Sequence, residues 1–223
     1  MRKAMVFRGI FYAAGLLILA LGLTLNTRTG LGVSPIISVA YSVSSIFNWN
    51  LGNMTLILYC VFVLVELILH TRVRQRKSIL LMDIFQIPLS IIFTRFINIF
   101  SGLLPDMKDD NFGIRVVFLL IAIMLTGIGA AMSLNMRLVP NPGDGIVQVI
   151  SDCDHKSVGF NKNWFDLINI IITTAISFIF AGHLVGIGVG TLLAVIGVGR
   201  SIAVFNHFFH EKMVELAGIK QCA

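Results

Sequence analysis

The sequence predicts an all-α integral membrane protein, on the basis of its composition and of the length of its apolar segments. Of 223 residues, 57% are hydrophobic and only 13% are charged, whereas soluble domains carry about 25% charged residues. The mean hydropathy is +0.90. Six segments each hold at least about 18 largely apolar residues, the length that a helix needs to cross a bilayer. We therefore expect one integral membrane domain over residues 1–223.

The predicted membrane-spanning helices fall into two groups of three. They cover residues 7–26, 52–70, 79–100, 114–136, 164–182 and 185–206. The basic start, MRKAMVFR, leads directly into an apolar segment of full spanning length, so we expect no cleaved signal peptide. Residues 207–223 are predicted to form a short cytoplasmic tail.

Two shorter apolar segments, residues 35–47 and 142–153, follow sequences that favour turns. The second belongs to LVPNPGDGIVQVIS, whose prolines and glycines predict a turn and then a helix start. A helix of about 13 residues covers roughly 20 Å, less than the roughly 30 Å of a hydrocarbon core. We predict that both are re-entrant half-helices that return to the side they entered from. The alternative, that both segments span, stays open.

The distribution of basic residues favours the re-entrant arrangement. Lysine and arginine concentrate in the cytoplasmic loops of membrane proteins. The N-terminus and the loop at 72–77 are both strongly basic, and they share the cytoplasmic side only if residues 35–47 do not span. Twelve of the seventeen basic residues then face the cytoplasm, and the acidic loop 106–110 faces outward. We predict a bacterial inner-membrane protein with both termini cytoplasmic.

The two halves of the sequence resemble each other. Residues that match in register are Gly22 with Gly129 and Pro35 with Pro142 at an offset of 107, and Arg95 with Arg200 at an offset of 105. Proline and arginine are both unusual inside spans, so their shared order carries more weight than matches between apolar residues. The predicted repeats cover about 7–100 and about 114–206. Because each repeat has three spans, the second is predicted to be inverted relative to the first, as in many secondary transporters.

Three motifs relate the chain to a known group of proteins. They are LGVSP at 31–35, PGDG at 142–145 and GIGVGTLL followed by VGR within 186–200. With these motifs, nearly the whole chain resembles the YczE/YyaS/YitT group of bacterial multi-pass integral membrane proteins. The resemblance implies an inner-membrane fold and little chemistry. Larger relatives add a soluble C-terminal domain, which we do not expect here because the sequence ends about sixteen residues after its last predicted span.

The starts of the two short helices form the predicted binding site. If each extended leg enters the membrane, both helix N-termini bring free N–H groups and positive dipole ends near the midplane. Irregular backbone at that depth has to be buried in protein or line a wet cavity. The predicted substrate-binding or coupling residues are Ser34, Pro35, Asn141, Pro142, Gly143, Asp144, Gly145, Arg95 and Arg200.

Structural roles compete with this assignment at most of these positions. Ser34 and Asn141 are common N-cap residues, and capping is the favoured role for both. For Asp144, capping and a coupling role are equally favoured, since intramembrane carboxylates are usually functional. Arg95 and Arg200 lie close enough to the span ends to reach the interface. Their matched positions favour a paired role, and we predict a contact between Arg200 and Asp144.

Three further acidic residues within the spans are predicted to have structural roles. Glu66 precedes His70 by four residues, which places the two side chains on one helix face. Asp83 is predicted to pair with the basic loop before it. Asp166 follows an interfacial tryptophan and is predicted to lie at a helix start, where a carboxylate is favourable.

These features favour a permease-like transporter for a small solute. The helix dipoles and arginines indicate an anionic or zwitterionic solute. A passive channel, or a membrane accessory or regulatory protein without transport activity, remains as an alternative. An enzyme is not expected, because the spans hold no Ser/His or His/Glu constellation.

Cofactors, metals and nucleic acid are not predicted either. The sequence has no nucleotide-binding loop and no zinc-ligand spacing. Its net charge of +6 comes from residues that flank spans, which is not the pattern of a nucleic-acid surface. Cys60, Cys153 and Cys222 are predicted to be free thiols. The expected partners are the lipid bilayer and an unidentified small solute or ion, and homo-oligomer formation stays open.

Overall fold

The computed structural model describes residues 2–73 and 75–219, and its regular secondary structure in those ranges is entirely helical. The helices are α1 (Arg2–Arg28), α2 (Pro35–Phe47), α3 (Leu51–Arg72), α4 (Lys77–Leu103), α5 (Phe112–Asn135), α6 (Pro142–Asp154), α7 (Val158–Ala181) and α8 (Val189–Leu216). Within the described ranges, six helices are long and apolar enough to cross a membrane, which are all except α2 and α6. This agrees with the multi-pass membrane protein predicted from the sequence.

The surface of the helix bundle is apolar and much of its interior is polar, the reverse of a soluble protein. Ile57, Ile171 and Ile196 are 57%, 58% and 66% exposed on three different long helices. By contrast, Thr55 and Thr173 are fully buried. Large exposed apolar surfaces mark contact with a partner or a membrane, so the outer faces of the long helices suit lipid.

The last helix begins later than the predicted span at 185–206. Residues 185–188 are instead non-helical, and the carbonyl of Gly186 accepts a backbone hydrogen bond of 2.8 Å from the N–H of Val33. A second bond of 2.8 Å runs from Gly190 N–H to the carbonyl of Leu31. At its other end α8 continues to Leu216, through the first ten residues of the predicted tail.

Helix α7 begins six residues before the predicted span at 164–182. The side chain of Ser157 accepts a hydrogen bond from the N–H of Phe160 and caps the helix start. The span prediction counts only residues suited to the hydrocarbon, whereas backbone hydrogen bonding continues beyond it. Asp166 is consequently buried inside α7, at 3% exposure, rather than lying at the helix start.

Helices α1 and α5 form the centre of the bundle and run antiparallel. Glycines allow their backbones to approach. A Cβ atom on Gly22 would lie 2.5 Å from the Thr126 nitrogen, and one on Gly129 would lie 2.7 Å from the carbonyl oxygen of Gly15. Because either Cβ would collide with backbone, the helix contact requires glycine at both positions. These are the two glycines that the repeat alignment places in register.

Two arginines fasten the ends of this central pair. The hydrogen bonds run from Arg8 Nε to Met136 O (2.7 Å), from the Arg8 guanidinium to Arg137 O (2.8 Å), from Arg115 Nε to Thr29 O (2.8 Å) and from the Arg115 guanidinium to Gly30 O (3.0 Å). Donors and acceptors are each 107 positions apart, so the two sets of bonds are reciprocal. Gly30 and Arg137, also 107 apart, both have positive φ.

The short helices lie between the long ones. Helix α2 packs on α3 and α7, and α6 packs on α3 and α7 as well. Ser38 and Ser42 of α2 bond to Thr173 and Ser177 of α7 through hydroxyl contacts of 2.7 and 3.1 Å. The starts of the two short helices touch each other, since the Ile36 side chain occupies the place of a Cβ on Gly143.

Candidate functional site

A cavity of about 210 Å³ lies where the starts of α2 and α6 meet, and we call it the central cavity. Leu19, Leu23, Val198 and Ile202 contribute apolar walls from α1 and α8. The polar residues that line it are Ser34, Thr126, Asn141, Asp144, Gln148 and Lys162. A mostly apolar wall with a few convergent polar groups is typical of small-molecule sites.

Ser34 and Asn141 occupy the predicted N-cap positions of α2 and α6, but neither side chain makes a capping hydrogen bond. The Asn141 side chain instead donates to the hydroxyl of Tyr59 at 3.2 Å. The N–H of Ser34 donates to the side-chain oxygen of Asn26 at 2.7 Å. The predicted capping role is therefore wrong for both side chains. Pro35 and Pro142 begin the helices as predicted. A backbone N–H in the first turn has no acceptor within the helix, so proline loses no hydrogen bond there.

Asp144 and Lys162 give the central cavity one group of each charge. Asp144 lies in the first turn of α6 and is half-buried. Lys162 comes from the start of α7, where its ammonium group lies 3.5 Å from the carboxylate of Asp166. The cavity thus presents a carboxylate, an amine and two carboxamides within a small volume.

The predicted arginines are not part of this cavity. Arg200 is exposed on α8 and lines a separate groove with Met124 and Ile128. Among the ion pairs of the described residues none joins it to Asp144, so the predicted contact is not formed. Arg95 is also exposed, and its guanidinium donates to the Asn53 side chain at 3.3 Å. Both arginines lie on outward faces of their helices. The inward faces there hold Thr94 of α4 and Val198 of α8, which are buried.

A second cavity, of about 180 Å³, lies between α3, α4 and α6, and we call it the acidic cavity. Its floor holds Glu66 and Gln86, which are 0% and 1% exposed. The Gln86 carboxamide donates to Glu66 Oε2 at 2.5 Å. Beside them, His70 Nδ1 lies 2.7 Å from Asp83 Oδ2.

This arrangement overturns two predicted pairings. Glu66 does not pair with His70, although the two lie on one face of α3. Among the described residues, Asp83 pairs with His70, from the last turn of the preceding helix, and not with the basic loop. Each acidic residue is instead partnered across the α3–α4 contact.

Gly145 separates the two cavities. A Cβ on Gly145 would lie 2.9 Å from Glu66 Oε1 and 3.1 Å from Gln86 Oε1, so α6 fits against this pair only with glycine there. Gln148, one turn later, lines both cavities. The predicted residues of PGDG therefore divide: Asp144 faces the central cavity, Gly145 faces the acidic cavity and Gly143 contacts α2.

The end of α2 approaches the end of α1, the helix that precedes it. Arg28, which ends α1, lines a cavity of about 370 Å³ together with Asn48, which follows α2. We call this the distal end of the molecule. The opposite, proximal end carries Arg8 bonded to Arg137, just before α6. The carboxylate of Asp154, the last residue of α6, accepts hydrogen bonds that hold its pKa below the ordinary value, first of all from the Lys156 N–H.

The residues that the sequence prediction missed are Lys162, Glu66 and Gln86. Lys162 precedes the predicted span at 164–182, so the sequence places it in a loop. Glu66 did carry a signal, since a carboxylate within a span is usually functional. Its spacing to His70 favoured a local pair, and only the packing of α3 on α4 brings Gln86 to it.

The described residues include no group of three or more potential metal ligands from His, Cys, Asp and Glu. Cys60 and Cys153 are free, as predicted. Three residues of the predicted features lie outside the described residues: Arg74 of the basic loop at 72–77, and Lys220 and Cys222 of the C-terminal tail.

Comparison with known proteins identifies relatives of the chain. Residues 6–207 match the model of a family of unknown function, DUF6198. The chain is 25% identical over 198 residues to the "Uncharacterized protein YyaS" of Bacillus subtilis (strain 168), covering 88% of this chain and 90% of that protein. It is 28% identical over 202 residues to the "Uncharacterized membrane protein YczE" of the same strain, covering 89% and 85%. No solved structure matches the chain. The predicted resemblance to YczE and YyaS is confirmed.

Proposed function

The chain belongs to the DUF6198 family, and from that premise we propose that it is a membrane transporter for a small anionic or zwitterionic solute that binds in the central cavity. The observation that carries the proposal is the cavity itself. It lies where two short helices begin, and it offers Asp144 and Lys162 as opposite charges among apolar walls.

We infer that α2 and α6 are re-entrant and that the two halves are inverted repeats. The reciprocal bonds of Arg8 and Arg115 support a two-fold relation between antiparallel halves. Arg28 and Asn48 lie at one end of the molecule although α2 separates them in the chain, which supports a helix that enters and returns. In this arrangement the proximal end faces the cytoplasm of a bacterial cell, by the excess of basic residues there.

The size of the central cavity limits the solute. Its volume of about 210 Å³ is less than the roughly 300–1,000 Å³ of pockets for drug-sized ligands. This size favours a small solute such as an amino acid or a short carboxylate. One ammonium and one carboxylate in the wall complement a zwitterion, and the helix starts add partial positive charge for an anion.

The structure has features of a conformation closed toward the distal end. The backbone bonds of Val33 and Gly190 join the leg before α2 to the leg before α8. The lining of the central cavity reaches Leu134 and Val158, which lie toward the proximal end. A transporter alternates between two closures, so we expect this backbone pairing to open when the solute is released on the distal side.

Solute binding to the purified protein tests the proposal. The probes are small amino acids, two- to four-carbon carboxylates and inorganic phosphate, each measured by its effect on thermal unfolding. A ligand at about 100 times its Kd stabilises the folded state by about 2.7 kcal/mol. Any solute that stabilises is then followed as uptake into proteoliposomes. Saturable uptake supports a transporter, uptake without saturation indicates a channel, and no stabilisation by any probe contradicts the proposal.

Replacing the charged groups of the cavity tests where the solute binds. We expect Asp144→Asn and Lys162→Gln to weaken solute binding at least about tenfold, since a hydrogen bond to a charged group contributes about 1.5–3 kcal/mol. The matched control is Asp110→Asn, an exposed carboxylate in the loop between α4 and α5. Equal affinities in all three variants would place the solute elsewhere.

A further inference from the structure

We propose that Glu66 is a proton-binding site: its carboxyl group is protonated in this conformation, pairs reciprocally with the Gln86 carboxamide, and releases its proton as the solute moves. The first two parts stand on the geometry of the acidic cavity. The last part rests on the proposed transport function.

Two buried side-chain oxygens of the Glu66–Gln86 pair lie close to Gly145. Among the described residues, neither Glu66 Oε1 nor Gln86 Oε1 has a hydrogen-bond partner. Both approach the same point, 2.9 and 3.1 Å from where a Cβ on Gly145 would lie. Glu66 Oε2 already accepts the hydrogen bond from Gln86 Nε2. Two buried acceptor oxygens therefore lie near the same point of α6, and no described residue donates a hydrogen bond to either.

Turning the carboxamide over does not remove this conflict. A carboxylate offers two acceptors, whereas the amide of Gln86 offers one donor and one acceptor. Whichever way the amide is placed, one oxygen of Gln86 faces one oxygen of an ionised Glu66. A proton on Glu66 Oε1 supplies the donor and completes a ring of two hydrogen bonds, and it removes the cost of an isolated charge in the interior.

The charged groups around Glu66 favour the neutral form as well. Asp83 of α4 lies beside it and is bonded to His70, and Asp152 of α6 lines the same cavity. Helix α2, which also packs on α3, has Tyr41 as its titratable side chain. Tyr41 lines the cavity of about 370 Å³ at the distal end and not the acidic cavity. Among the ion pairs of the described residues, none gives Glu66 a lysine or arginine partner.

The corresponding place in the other half holds hydroxyl groups. At the repeat offset of 107, Glu66 corresponds to Thr173 and Gly145 corresponds to Ser38. The hydroxyl groups of Ser38 and Thr173 form a hydrogen bond of 2.7 Å, and neither group ionises near neutral pH. The contact between α2 and α7 is thus a fixed hydroxyl pair, whereas the contact between α6 and α3 has an ionisable group facing a glycine. This difference indicates that one half is specialised for binding a proton.

The acidic cavity supplies a route for the proton and a link to the solute. Its lining runs from Glu66 past the His70–Asp83 pair to Gln75 at the proximal end. On its other side α6 carries Asp144 in the central cavity, one residue before Gly145. A shift of α6 when the solute leaves would change the surroundings of Glu66 directly.

Infrared spectroscopy of the purified, lipid-reconstituted protein tests the protonation state. We expect a buried carboxylic-acid carbonyl band near neutral pH in the unmodified protein, and its loss in Glu66→Gln. The substituted amide keeps a reciprocal pair with Gln86, so this variant is expected to fold. Asp83→Asn is the matched control and should retain the band. A band that survives Glu66→Gln, or no such band in the unmodified protein, would overturn the assignment.

Transport in proteoliposomes tests the coupling separately. The experiment uses a solute already identified by thermal stabilisation. If each solute molecule crosses with one proton and no net charge moves, a gradient of one pH unit drives about tenfold accumulation of that solute. We expect Glu66→Gln to abolish this accumulation while solute exchange at equal pH continues. Accumulation that persists in Glu66→Gln would overturn the coupling. If the unmodified protein moves no solute, the transport proposal fails, and the infrared band still decides the proton site.

Discussion

Gly145 decides at the scale of a single residue how α6 lies against its neighbour. A Cβ atom there would lie only 2.9 Å from Glu66 Oε1 and 3.1 Å from Gln86 Oε1. A glycine in the interior of a helix is usually destabilising by about 0.5–1 kcal/mol relative to alanine. The position therefore gains its stability from packing, since any Cβ would push against two buried polar groups.

Gly145→Ala is expected to destabilise the protein despite the better helix propensity of alanine. The added methyl must displace the Glu66–Gln86 pair, and overpacking of this kind costs about 1–3 kcal/mol. Gly159→Ala is the matched control: Gly159 is also in the first turn of a helix, and its Cβ would meet nothing within 4 Å. Thermal unfolding in detergent measures both. Equal melting temperatures for the two variants would show that α6 packs less closely than described.

At the scale of elements, the central pair α1 and α5 explains how two halves of limited sequence identity hold together. Each helix contributes a glycine that admits the other's backbone, and each has an arginine that satisfies carbonyls at the other's end. Helix C-termini leave four carbonyl groups without partners inside the helix. The arginines satisfy some of them and place positive charge where the helix dipole favours it.

We expect Arg8→Gln and Arg115→Gln to lower the free energy of unfolding by similar amounts, about 2 kcal/mol each. A hydrogen bond from a charged donor contributes about 1.5–3 kcal/mol. The value lies in the lower part of this range because both sites are partly exposed. Arg95→Gln serves as the control, since Arg95 makes a long bond of 3.3 Å on the surface. Denaturation in detergent compares the three. A large effect of only one of the two clamping arginines would argue against their equivalence.

At the scale of the whole molecule, the short helices determine how many times the chain crosses the bilayer. If α2 is re-entrant, the α2–α3 and α3–α4 connections lie on opposite sides of the membrane, and the α3–α4 connection shares the side of the N-terminus. If α2 spans, the α3–α4 connection lies opposite the N-terminus. The second arrangement would place the densest basic loop outside, against the positive-inside tendency.

Cysteine labelling in intact cells distinguishes these arrangements. In a background without Cys60, Cys153 and Cys222, we expect a membrane-impermeant thiol reagent to label Ser45→Cys and to leave Ser78→Cys unlabelled. Both serines are exposed and differ from cysteine by one atom. Permeabilised cells should label at both positions, which controls for reactivity. Labelling of Ser78→Cys alone in intact cells would mean that α2 spans.

The candidate site could be predicted from the sequence only in part. PGDG can be recognised from the sequence because proline, glycine and polar residues are unusual in an apolar chain. The structure brings Ser34, Asn141 and Asp144 to the central cavity, as predicted. Arg95 and Arg200 match between the halves, which predicts a shared role, yet both lie on outer faces. Sequence spacing fixes the order of residues along a helix, but the rotation of that helix about its axis depends on its neighbours.

The sequence by itself determined the membrane class, six long helices, two short ones and the starts of the two short helices at Pro35 and Pro142, because these follow from hydropathy, length and local turn chemistry. Only the tertiary structure decided which polar groups meet. Glu66 and Gln86 are twenty positions apart and become partners because α3 packs on α4, while Gly145 reaches both from α6. Side-chain partners across helices depend on three-dimensional packing, which local pattern does not encode.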